Sequence, residues 1–156
     1  MTSSSDFNPE EWEAVREGPT SAGLIVATSE RGGTLREVFA MAKVYAEARK
    51  EHGESELLDE LASHRPETDR HLGSSPDEVR QNGLQRIRDA VALVAAKASP
   101  VELGEYRQFV VTVAKRVAEA KEERGSDSGI SDAESAAIVE LEAALGAAGP
   151  PSADAA

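Results

Sequence analysis

Three times along the chain a capping residue is followed at once by proline, and three positions after the cap by glutamate. The segments are Asn8-Pro9-Glu10-Glu11, Ser75-Pro76-Asp77-Glu78 and Ser99-Pro100-Val101-Glu102. Each residue type has a physical reason to be there. The cap side chain accepts from a free backbone N–H in the first helical turn. Proline suits the first helical position, where its missing N–H would have had no partner. The glutamate reaches back to the N–H of the cap and closes a capping box. At the first of these starts, Phe7 and Trp12 hold the two positions of a hydrophobic staple, and at the third Ala98 and Leu103 do. A chain punctuated in this way is committed to α-helix over most of its length.

Apolar spacing fills in the elements between these starts. The first helix is expected from Pro9 to Glu17, stopping at Gly18, and a second short one follows Pro19 with Leu24, Ile25 and Val26. The third begins after Thr34 with Glu37 at the box position, and carries Leu35, Val38, Phe39, Ala42, Tyr45 and Ala46 as one stripe near a period of 3.6. A fourth is expected from Ser55 to Ser63, followed by a polar loop from His64 to Ser74. The fifth runs from Pro76 to about Ala98 with Leu84, Ile87, Val91, Val94 and Ala98 on one face. The sixth repeats Leu103, Tyr106, Val110, Val113, Val117 and Ala120 in steps of three and four, a seam that serves a monomer core or a dimer equally well. The last follows Ser131, with Ile138, Leu141 and Leu145 inward, and ends at Gly146. Only 4% of residues are aromatic, which argues further against strands.

The expected fold is therefore all-α: a compact single-domain bundle of about six or seven helices over residues 7–146, antiparallel or orthogonal, with residues 1–6 and 147–156 disordered. The 156 residues suffice to bury a core without cross-links, and there is no cysteine to supply a disulfide, a thiolate ligand or a thiol nucleophile. A net charge of −12 disfavours nucleic acid and anionic membrane, which need concentrated positive surface. No apolar run approaches the roughly 20 residues that span a bilayer, and Met1–Asp6 lacks the pattern of a signal peptide, so the expected location is the cytoplasm.

One acidic pattern occurs twice. Asp127-Ser128-Gly129-Ile130-Ser131-Asp132-Ala133-Glu134 opens the last helix, and Glu30-Arg31-Gly32-Gly33-Thr34-Leu35-Arg36-Glu37 opens the third. Helix capping accounts for the turn glycine, the hydroxyl and the glutamate. A divalent cation, calcium or magnesium, is the other account, because acid, hydroxyl and glutamate within eight residues can present several oxygens to one point. The candidate ligands are Asp127, Ser131 and Glu134, with Glu30, Thr34 and Glu37 from the other copy. The second copy, with Ile138-Val139-Glu140-Leu141-Glu142-Ala143-Ala144-Leu145-Gly146 behind it, resembles a segment of the tellurite-resistance TerB-like proteins. That resemblance covers about a third of the chain and implies an all-helical, divalent-ion-binding, stress-associated protein, with Asp127, Ser131 and Glu134 as its ligands.

Other chemistry finds little support. His64, Glu67, Asp69 and His71 share the polar loop, but their spacing matches no zinc site. There is no Gly-x-Ser-x-Gly elbow and no Gly-Lys-Ser/Thr phosphate loop. The function expected from the residues is a non-enzymatic interaction or scaffolding role toward a partner protein. The TerB-like, cation-binding stress protein is the alternative.

Overall fold

All three cap–proline segments start helices, although they close their boxes differently. Asn8 and Glu11 form a full box, Glu11 N–H donating to Asn8 Oδ1 at 2.8 Å and Asn8 N–H to the Glu11 carboxylate at 2.9 Å. Ser99 and Glu102 do the same. Ser75 caps Glu78 N–H, but the Glu78 carboxylate takes the N–H and hydroxyl of Ser74 instead, both at 2.9 Å, so this box closes one residue early.

The computed structural model describes residues 2–29, 35–50, 55–66, 72–122 and 132–147. These hold a 3-10 turn (Ser4–Asp6) and six helices: α1 (Pro9–Thr28), α2 (Leu35–Lys50), α3 (Glu56–Ser63), α4 (Pro76–Lys97), α5 (Pro100–Glu122) and α6 (Asp132–Ala147). No strand occurs among the described residues. The fold is the expected all-α bundle. Helix α1 packs between α4 and α5, α2 lies on α5 and α3, and α6 covers α4 and α5. One continuous core runs through it, including Val15, Ala22 and Val26 of α1, Ile87, Val91 and Val94 of α4, Val110, Val113 and Val117 of α5, and Leu141 of α6. The α5 seam read from spacing faces this core, so it is interior to a single chain.

The break expected at Gly18-Pro19 does not occur. Helix α1 continues through both residues. Proline at position 19 cannot donate to the carbonyl of Val15, four residues back, and its ring crowds that carbonyl. Tyr106 supplies the missing donor: its hydroxyl, fully buried, donates to Val15 O at 2.7 Å. Room for that hydroxyl comes from Gly18, where a Cβ would collide with it and press on Ala90 of α4. Gly18, Pro19 and Tyr106 thus form one device, and it merges the two expected helices into one. Further along, Gly23 leaves space for the Met41 side chain and Gly83 for Ile25, which draws α2 and α4 close to α1.

Residues 2–6, expected to be disordered, are docked. Thr2 is buried and donates both its N–H and its hydroxyl to the Glu102 carboxylate, at 2.7 and 2.9 Å. The Ser4 N–H donates to Glu60 of α3. Lys97 at the end of α4 donates to the Asp6 carbonyl at 2.7 Å and to the Glu11 carboxylate at 2.8 Å, with its ammonium 5.3 Å from the Phe7 ring centre. Phe7 and Trp12 form the expected staple, their ring centres 5.8 Å apart. Burial alone would raise the pKa of Glu102. The donors from Thr2 and Ser99 outweigh it and hold the carboxyl at about 2. Composition could not reveal this docking, because it depends on a carboxylate 100 residues away along the chain. Residues 148–156 lie outside the described part of the chain.

Candidate docking groove

The apolar stripe expected on α2 is rotated in the structure. Met41, Val44 and Tyr45 are buried, and Tyr45 meets Phe109 of α5 edge to face at 5.2 Å between ring centres. Ala42 is exposed, and Phe39 is 71% exposed. Two stripes overlap in this stretch, one through Phe39 and Ala42 and one through Met41, Val44 and Ala48, with Tyr45 compatible with both. At about 100° per residue, Phe39 and Met41 lie about 200° apart around the helix, so they cannot share one buried face. The core takes Met41, whose flexible side chain fills the space over Gly23. Phe39 is left facing outward.

Beside Phe39 a groove opens between α2 and α5, with a volume of about 300 Å³. Its floor is Ala40, Val44 and Ala120, and its rim carries Lys43, Glu47, Arg116 and Glu119. Arg116 is shared between the carboxylates of Glu47 at 3.7 Å and Glu119 at 3.9 Å, with all three side chains about half exposed. Pairs this long and this wet hold each other weakly and exchange readily with an incoming charge. The other large exposed apolar side chains among the described residues, Val101 and Val139, line neither this groove nor the next one described. Scattered single residues of that kind are ordinary on protein surfaces.

A second, smaller groove of about 180 Å³ lies where α1, α4 and α6 meet. Arg80 crosses it and pairs with Asp77 at 3.8 Å and Glu140 at 3.3 Å. None of its described lining residues is a large exposed apolar side chain.

Of the candidate cation ligands, Asp127, Ser131, Glu30 and Thr34 lie outside the described residues. Glu37 falls in α2, but its side chain is likewise outside them. Glu134 is described: it sits in the first turn of α6 and is only 2% exposed. Among the described residues, no three histidine, aspartate or glutamate side chains come together to hold a metal ion. His64 ends α3, while Glu67, Asp69 and His71 are outside the described residues. Among the described residues no helix is long and apolar enough to cross a membrane.

Sequence reasoning placed Phe39 in the core and singled out none of the rim charges. The available signal was the competing stripe: Met41, Val44 and Tyr45 satisfy the helical period equally well, and choosing them exposes Phe39. Compared with protein-family models, with curated proteins and with solved structures, the chain matches none.

Proposed function

We propose that this protein is a non-enzymatic interaction module that docks a partner protein in the α2–α5 groove. One observation carries the reading: a phenylalanine 71% exposed at the mouth of a concave, apolar-floored cleft. An aromatic side chain left in water costs free energy that burial against a partner recovers, and aromatic anchors beside pockets dominate binding energies in protein interfaces. The lining also favours binding over catalysis. Among the described residues it contains no histidine and no hydroxyl, and its charged groups stand on the open rim rather than converging inside.

Site-specific photo-crosslinking in the native cell tests this. A photoreactive residue at position 39 is expected to capture one discrete partner, while the same residue at position 101, equally exposed on α5, captures none. Equal labelling at both positions, or none at either, would defeat the proposal.

A second reading, cation binding through the Asp127–Glu134 segment, is favoured by the burial of the Glu134 carboxylate at the start of α6. It has its own test. An ion that binds only the folded protein stabilises it by about 2.7 kcal/mol at a hundred times its Kd. For a chain of this size that is a rise in Tm of about 5–10 °C on replacing chelator with calcium or magnesium. The rise should vanish in Glu134→Gln. An unchanged Tm in the wild type removes the cation from consideration.

A further inference from the structure

We infer that α2 and α3 form a cover that opens as one unit from a bundle of α1, α4, α5 and α6, and that the hydrogen bond from Ser4 to Glu60 latches it. This opening is independent of the docking reading, because it concerns what lies beneath α2 and not what meets its outer face.

The division shows in which helices touch. Among the described residues, every pair drawn from α1, α4, α5 and α6 is in contact, so these four close on one another without help. Helix α2 lies chiefly on α5 and α3, with a slight contact to α1. Helix α3 touches α2 and, slightly, α5. Neither makes more than a glancing approach to α4 or α6. Two consecutive helices that rest mainly on each other and on one neighbour are the kind of unit that opens cooperatively ahead of the rest.

The bonds divide in the same way. Within the four, Tyr106 donates to Val15 O at 2.7 Å, Lys97 to Glu11 at 2.8 Å and Arg80 to Glu140 at 3.3 Å. Across the boundary, Glu47 and Arg116 are 3.7 Å apart and half exposed, an arrangement that contributes little. The apolar hold on the cover comes from Met41 over Gly23 of α1 and from Tyr45 edge-on to Phe109 of α5. The latch is different in kind. Residues 2–6 are tied to α4 and α5 through Lys97 and Glu102, and the Ser4 N–H joins α3 to that fixed part through Glu60. Opening breaks the latch and the hold of Met41 and Tyr45, while the bonds from Tyr106 to Val15 and from Thr2 to Glu102 stay made. It uncovers Phe109 and the notch at Gly23, apolar surface that the closed molecule keeps from water.

Native-state hydrogen exchange of the full chain in low urea tests this. The amides of Val44 and Tyr45 in α2 and of Leu61 in α3 are expected to share one opening, with one urea dependence. That opening should be at least tenfold more frequent than the one that exposes Val91 in α4 and Val113 in α5. Ser4→Pro removes the latch N–H, and Ser3 before it is already extended at ψ 173°, so the turn accepts proline. The variant is expected to raise the frequency of the α2–α3 opening roughly three- to tenfold, the effect of one hydrogen bond, and to leave Val91 and Val113 unchanged. The absence of native cysteine allows an independent check on the side-chain interior. A lone thiol from Val44→Cys should react with an aromatic disulfide reagent at least tenfold faster than one from Val91→Cys. A single opening shared by all six helices would overturn the inference. Separate openings for α2 and α3 would overturn it too, as would a Ser4→Pro effect spread equally over Val44, Leu61, Val91 and Val113.

Discussion

The Tyr106 hydroxyl serves the carbonyl that Pro19 leaves without its helical donor. A buried carbonyl stripped of its last partner costs about 1–3 kcal/mol, and Tyr106→Phe is expected to lose that much in urea unfolding. The explanation is sharper than the number. If Tyr106 compensates for Pro19, then Pro19→Ala restores an N–H to Val15 O and reduces the cost of Tyr106→Phe. A double-mutant cycle should therefore show strong coupling between positions 19 and 106, and additive costs would refute the link.

Glu102 makes a second residue-scale prediction through pH. Its pKa is lowered from 4.5 to about 2 on folding. A depressed carboxylate pKa means that the unfolded chain binds the proton more tightly, so the stabilisation is complete above about pH 4.5 and is lost as pH falls toward 2. Glu102→Gln is expected to be less stable than wild type at pH 7 by about 1–3 kcal/mol, with the gap narrowing steadily between pH 4.5 and 2. A gap independent of pH would show that the carboxylate charge plays no part in holding Thr2.

At the scale of elements, the register of α2 decides which face the protein offers to others. Met41 is buried against Gly23 while Phe39 stands in water, although both fit an apolar stripe on paper. Met41→Ala should therefore cost about 2–5 kcal/mol, as core truncations do. Phe39→Ser should change stability by no more than about 0.5 kcal/mol, as surface substitutions do. Paired urea melts check this, and a large loss for Phe39→Ser would mean that the side chain is part of the core. The same comparison explains what could be read in advance. Helix starts at Asn8, Ser75 and Ser99 were legible because capping is local chemistry, complete within four residues. The inward faces of α5 and α6 were legible because each has a single apolar stripe. The continuation of α1 through Pro19 was hidden because the compensating hydroxyl comes from Tyr106, 91 residues away from its acceptor. The docking of Thr2 was hidden for the same reason. The groove was hidden because α2 carries two overlapping stripes, and only tertiary packing chooses between them.

For the whole molecule, the candidate site shares its floor with the core through Val44, while Phe39 and the charged rim stand outside the core. The bundle is held by α1 threaded between α4 and α5, with a polar clasp from residues 2–6 fastening the α4–α5 corner. Phe39 and the rim residues Lys43, Glu47, Arg116 and Glu119 are outside that clasp and outside the buried core, so they can be altered without opening it. This separation permits a direct test of the central claim that the groove around Phe39 is where the protein meets its partner. Wild type, Phe39→Ser and the control Val101→Ser would be purified from native cells at matched levels, and their co-purifying proteins quantified side by side. The account predicts that all three are equally stable, and that at least one protein held by both wild type and Val101→Ser is lost from Phe39→Ser. Identical companions for all three proteins, with stability unchanged, would contradict it.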